Sequence, residues 1–329
     1  MKESAANRIT DMGELTVAGI CSAEFRLFSG NPVIFPFGGS PMVADPSLLT
    51  PSESPDGLWH LFCHTLTGVW QFVSEDGIHF RRAGRIVPRA MRPDINRIGN
   101  RYYLYYERTR SLAANGLNML NLTPWRSSIY LTQSDDLIHW SKPESVLEHT
   151  KPFEESERGV SLSNPFLLRE GDTFRLYYSC GLTYIKDCGF CEPTHISYAV
   201  SESPDGGFTA VDKPLISPDS ENPYLNLCSG CLKVYRLSDG YIGIQNGIYL
   251  KDGGSRSAIL LLTSEDGLKF EFNRVLVEPD GKDGSWMRQF VYASHLVCYD
   301  GKLRLYFNAR NTAAALSGRE CIGFAEAEI

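Results

Sequence analysis

One turn, written four times, limits what this chain can fold into more than any other feature. It recurs as VSEDGIHF (73–80), QSDDLIHW (133–140), ESPDGGF (202–208) and TSEDGLKF (263–270). Each copy reads as a strand end, a Ser-x-Asp turn and an aromatic residue that opens the next strand. An extended stretch with Pro or an acid near its end follows every copy: RRAGRIVP, SKPESVLE, TAVDKPLISP and EFNRVLVEP. A second element, a strand, a tight turn and an aromatic strand, precedes them at 45–64, 94–107, 164–180 and 230–246, and recurs at 293–310. Together they make units of about 45 to 70 residues with four antiparallel strands each, the composition of a propeller blade.

The fifth unit lacks its outer strand, because the chain ends after 320–327. AEFRLFSGNPVIFP (23–36) carries the aromatic-then-proline pattern of the other outer strands. It is expected to complete the last blade and so remove an exposed sheet edge. The fold expected is all-β: a single five-bladed β-propeller domain over 1–329. Its blades lie near 42–88, 90–148, 158–218, 226–279 and 286–329 plus 23–36. A β-sandwich also has short strands and turns, but it predicts neither the fourfold turn in register nor a displaced terminal strand.

The frequency of aromatics, 16 Tyr, 17 Phe and 5 Trp, suits strands. A net charge of −7 leaves no basic stripe for a phosphate backbone, so nucleic acid is not an expected partner. No stretch approaches the roughly 20 apolar residues of a membrane helix. The polar N-terminal MKESAANRITDMGELTVAGI and an odd count of nine cysteines point to a reducing cytoplasm. No cofactor is expected, and the oligomeric state is left open.

Antiparallel order puts the short turns on one face of the disc and the long connections 108–127, 181–194, 247–256 and 310–319 on the other. The long-loop face is the expected site. It also receives the strand ends that carry Asp45, His64, Asp94, Glu107, Arg108, Ser163, Asn164, Asn308 and Arg310. Acids before strands are often only turn formers. Asp45 and Asp94, however, read as equivalent positions of adjacent blades, with Glu107 nearby. Carboxyls held close together split their pKa values, as acid and base roles require.

At these residues, VADPSLL around Asp45 and MRPDINRI around Asp94, the chain resembles the five-bladed propeller glycoside hydrolases, family 43 and its relatives. The resemblance implies that Asp45 is the general base and that Asp94 tunes pKa and orients substrate. It also implies a general-acid Glu at the head of the third blade, where this chain has SLSNPFLL with Ser163 and Asn164. Glu107 is the expected substitute acid, ahead of Glu157 in FEESERG. Family precedent implies inversion of the anomeric centre. Arg92, Arg108, Asn164, Trp286, Arg288, Gln289, His295, Asn308 and Arg310 are the expected sugar contacts.

Two Cys-x2-Cys pairs, Cys188/Cys191 and Cys228/Cys231, have a spacing that zinc could use, with ordinary thiols as the preferred reading. The function expected is hydrolysis of a small soluble glycoside or sugar conjugate. The loop arginines Arg92, Arg108, Arg288 and Arg310 would suit an anionic sugar, or phosphate in a phosphorylase. A non-catalytic glycan-binding propeller is the alternative.

Overall fold

The computed structural model describes residues 12–109, 123–314 and 317–329. They form five blades of four antiparallel strands. The short strands Glu155–Ser156 and Gly159–Val160 are added to the second blade, the latter parallel to Trp125–Ser134, and Thr183–Ile185 and Phe190–Glu192 make a separate two-stranded sheet. Blade one is Ala44–Leu49, Trp59–Thr65, Gly68–Ser74 and Arg81–Pro88, counted from the axis outward. Blades two, three and four begin with Ala90–Ile98, Leu162–Glu170 and Cys228–Arg236 in the same order. Blade five takes Phe290–Tyr299, Lys302–Arg310 and Glu320–Glu328 from the C-terminus and Arg26–Leu27 from the N-terminus. The expected ring closure is therefore present, on a shorter ladder than 23–36. Arg26 pairs with Glu326 and Leu27 with Ala325, and an isolated bridge joins Ile34 to Ile322. Stacking of Phe28 on Phe324, 4.7 Å between ring centres, and two hydrogen bonds between Asn31 and Phe324 secure the seam.

The repeated turn works through its side chains. Ser74 Oγ accepts from Gly77 N at 3.0 Å, while Asp76 Oδ1 accepts from Ile78 N and His79 N. Ser134 with Asp136, and Ser264 with Asp266, do the same in blades two and four. The residue after the aspartate is left-handed: Gly77 (φ 72), Leu137 (φ 61) and Gly267 (φ 70). Glycine suits two of these positions, and Leu137 holds the third because its side chain is buried between blades.

The turns also join neighbouring blades. Tyr306 donates to Gly77 O at 2.7 Å and Tyr177 to Gly267 O at 2.7 Å, and Tyr105 donates to Pro204 O. Each is a second strand reaching the outer turn of the following blade, a neutral hydrogen bond contributing about 1 kcal/mol. Apolar packing between blades contributes the larger share. Phe62, Ile95, Leu104 and Tyr106 sit together between blades one and two, each worth about 1.5–3 kcal/mol if fully buried.

Every innermost strand breaks its register once near its start. The breaks fall between Ala44 and Ser47, Met91 and Asp94, Ser163 and Phe166, Cys228 and Cys231, and Val291 and Ser294. In the first three blades the bulged residue is left-handed and precedes a proline: Asp45 (φ 54), Arg92 (φ 52) and Asn164 (φ 47). In blade four Gly230 (φ 62) takes this conformation. Such bulges turn a side chain away from the pleat toward the axis. They also correct one reading of the sequence: the counterpart of Asp45 in blade two is Arg92, and Asp94 corresponds to Ser47. No helix among the described residues is long and apolar enough to cross a membrane.

Candidate active site

The bulges aim their side chains into one cavity of about 300 Å³ on the long-loop face. Asp45, Arg92, Asn164, Gly230 and Ala293 contribute one position from each blade. His64, Asn246, Asn308 and Arg310 come from strands next to the inner ones, and Glu320 from the third strand of blade five. A short hairpin of blade three, Thr183–Ile185 paired with Phe190–Glu192, forms part of the wall. Residues 110–122 of the long connection in blade two lie outside the described residues.

Asp45 is held on both carboxylate oxygens. His64 Nε2–H donates to Oδ2 at 2.7 Å and Asn164 Nδ2 donates to Oδ1 at 3.0 Å. Its backbone N–H donates to Asn308 Oδ1 at 3.1 Å. Burial opposes the charge on Asp45, yet the His64 hydrogen bond and charge, with Arg92 and Lys233, hold its carboxyl below the usual range. Asp45 is thus an ionised, oriented carboxylate facing the cavity.

Glu192 is its opposite. Burial pushes its carboxyl up to about 8, with Glu320 and Asp45 adding to the rise and Arg92 and Arg310 opposing it. Among the described residues no hydrogen bond or ion pair engages this carboxyl group, and its residue lines the cavity. Glu320 is also raised, by burial, to about 7. Unlike Glu192 it is tied down, accepting from Asn308 Nδ2 and lying 3.6 Å from Arg310 Nη1. Neither residue was singled out from the sequence. Glu192 stands in the 181–194 loop of the blade that lacks the expected acid, a signal that was available. Glu320 is the ladder partner of Arg310.

Glu107, expected as the acid, is fully buried and outside the cavity wall. It pairs with Arg92 Nη1 and accepts from Trp125 Nε1 at 2.9 Å. This pairing holds Arg92, a long side chain in a backbone conformation that long side chains seldom adopt. Asp94 lies deeper along the axis, accepting from Asn96 Nδ2 at 2.7 Å and Leu167 N at 3.0 Å, with Lys233 Nζ 3.9 Å away. Its carboxyl is raised, by burial above all. His295 belongs to this lower layer, 3.3 Å from Ser47 Oγ, and burial pushes its pKa down to about 3.

Of the expected sugar contacts, Arg92, Asn164, Asn308 and Arg310 line the cavity. The others face elsewhere. Arg108 covers the Tyr130 ring in a separate groove, and half-buried Trp286 stacks on Phe307 against the core. Arg288 pairs with Asp283, and Gln289 donates to Ser255 O. Glu157 is exposed at the cavity mouth. Of the four arginines expected to form a cationic pocket only Arg92 and Arg310 line the cavity, joined there by Arg158. Arg92 is matched by Glu107, while Arg310 faces Glu320 and donates to Thr312 O and Ala314 O.

Among the described residues no three His, Cys, Asp or Glu side chains come together as metal ligands. Cys188 and Cys228 pack as free thiols with Ile185, Ile248 and Phe290, and burial raises both pKa values.

No protein-family model matches the sequence, and no curated protein matches it. Solved structures do. An N-acetylgalactosamine deacetylase from F. plautii, in complex with blood group B trisaccharide, is similar over 94% of this chain and 95% of its own, at 16% identity and a TM-score of 0.61. A family 117 glycoside hydrolase from Zobellia galactanivorans is 14% identical over 93% of this chain and 90% of its own, TM-score 0.60. A glycosyl hydrolase from Bacteroides ovatus is 15% identical over 92% and 93%, TM-score 0.59. The chain has the five-bladed propeller fold found among glycoside hydrolases. At these identities the likeness is one of fold.

Proposed function

We propose that the protein is a glycoside hydrolase acting on a small glycoside, with Asp45 as general base and Glu192 as general acid. The observation that carries this reading is the opposite displacement of two carboxyls in one cavity. Asp45 is held ionised, while Glu192 keeps its proton to about pH 8. Two titratable groups pushed apart in this way divide the acid and base tasks of glycosidic cleavage. Asp45 draws the proton from a water, which attacks the anomeric carbon with inversion. Glu192 protonates the departing oxygen. Glu192 thereby replaces both the acid missing at Asn164 and the expected Glu107.

Arg92 and Asn164 act on the base rather than on the bond. Asn164 fixes one oxygen of Asp45, His64 the other, and Arg92 keeps the carboxylate charged. Asn308, Asn246 and Arg310 at the cavity floor are the groups offered to sugar hydroxyls. A phosphorylase would need an uncommitted cation beside the glycone for phosphate, and Arg92 and Arg310 at the floor face buried carboxylates, while Arg158 lies exposed over the Tyr184 ring.

The test is turnover of a panel of activated aryl glycosides, furanosides and pyranosides of both anomers, by wild type and Asp45→Asn. The expected result is turnover of one sugar, a loss of about 10²–10⁴-fold in the variant and unchanged affinity for the product sugar. Sugar binding with no turnover in either form would make the protein a glycan-binding propeller instead.

A further inference from the structure

The cavity has two zones of opposite character. Its most buried side chains are mainly polar, His64, Asn164, Asn246, Asn308, Arg310 and Glu320, with the small Cys231 and Ala293 among them. Its half-buried wall from blade one to blade three is mainly apolar, with Met42, Leu66, Met91, Trp125, Leu182 and Phe190, and the polar Thr123, Glu157 and Arg158 of the same wall are exposed. The Trp125 indole N–H is already spent on Glu107 and Ser127, so this residue offers the cavity only its ring. Glu192 follows Phe190 by two residues on the same hairpin strand, at the border between the zones.

A sugar ring has hydroxyls on its whole perimeter, and burying them against methionine, leucine and phenylalanine leaves them unpaired at a cost of about 1–3 kcal/mol each. Among the described residues the floor can satisfy them and the side chains of the collar cannot, since Glu157 and Arg158 are exposed beside it. The proton donor at the border fixes which part of the substrate lies on which side: glycone below, leaving group above. Of the described arginines that line the cavity, Arg92 and Arg310 at the floor are matched by Glu107 and Glu320 and leave the glycone no free cation, while Arg158 lies exposed over the Tyr184 ring.

Resting on the hydrolase reading of this cavity, we propose that its substrate is an uncharged sugar bonded to an apolar aglycone, an aryl or alkyl glycoside, and that the collar of Met42, Leu66, Met91, Trp125, Leu182 and Phe190 is the aglycone subsite.

The experiment compares binding of methyl and phenyl 1-thioglycosides, which resist hydrolysis, across the same sugars, by calorimetry on the full chain. A thio-linked disaccharide with the same glycone is the third ligand. For the sugar that binds, the phenyl compound is expected to bind about 10- to 100-fold tighter than the methyl compound, from the ring area removed from water. Leu182→Asn, and separately Phe190→Ser, should reduce that ratio to less than about threefold, from lost apolar contact, while methyl thioglycoside affinity is kept. A phenyl-to-methyl ratio near one, a ratio unchanged in both variants, or a disaccharide that binds as tightly as the phenyl compound overturns the proposal. If the ratio holds but no glycoside is turned over, the aglycone subsite stands and the hydrolase reading falls. If no thioglycoside of any sugar binds, both fall.

Discussion

The outer turns and the axial bulges are both built by repetition, yet they repeat different things. At the rim the side chains recur with the backbone: Ser74, Ser134 and Ser264 cap their turns, and Asp76, Asp136 and Asp266 accept the same amide pairs. At the axis only the backbone recurs. The same left-handed bulge presents Asp45, Arg92 and Asn164 in three successive blades. A turn closes one way, so its chemistry is uniform and serves stability. A bulge is a mount, and what it carries varies because the cavity needs a base, a cation and an amide at different points around one centre.

The largest expected effect that tests this contrast is at the hairpin, which belongs to neither repeat. Glu192→Gln should lower turnover of glycosides with poor leaving groups by about 10²–10⁴-fold and leave activated aryl glycosides far less affected. In the wild type, activity should fall as pH rises through about 8, where Glu192 gives up its proton, and the variant should lack this limb. A basic limb that survives in Glu192→Gln would remove Glu192 from the mechanism.

Glu107→Gln comes next and is a test of stability. It leaves the Arg92 charge buried against a neutral amide, a loss of about 3–5 kcal/mol for a broken buried pair. A urea midpoint unchanged from wild type would mean that Arg92 finds another partner and that the axial bulge is not held by this pair.

The smallest effect lies at the rim. In Gly77→Ala the new methyl would sit 2.7–2.9 Å from Arg304 Nη1, Trp59 and Tyr306 Oη, where blades one and five meet. A cost of about 1–3 kcal/mol is expected, with kcat/KM of the folded protein unchanged. Gly171→Ala, also left-handed but in open space, should cost less. Equal costs would show that backbone conformation rather than blade packing makes glycine necessary at the rim.

The rim was legible in the sequence because its determinants are local. A Ser-x-Asp turn needs only its own four or five residues, and its spacing counts the blades. The displaced strand was legible for the same reason, from AEFRLFSGNPVIFP matching the other outer strands. At the axis the same method misplaced a residue. Counting acids before strands matched Asp94 to Asp45, although the shared X-Pro in ADPSLL and MRPDIN aligns Arg92 with it. A single bulged residue decides which side chain turns inward, and two residues along the strand is a different layer of the channel. Glu107 was placed on the correct strand end but not at its depth.

Alone, the sequence determined the fold class, the order of the blades, the ring closure and the face on which the candidate site lies. These follow from periodicity and turn chemistry, which act between near neighbours in the chain. The tertiary structure decided which carboxyls share a cavity, Glu192 and Asp45 among them, and that Arg92 and Arg310 are matched by Glu107 and Glu320. Those relations depend on burial and on charges brought together from residues 45, 92, 192, 310 and 320, and only the closed ring sets such distances.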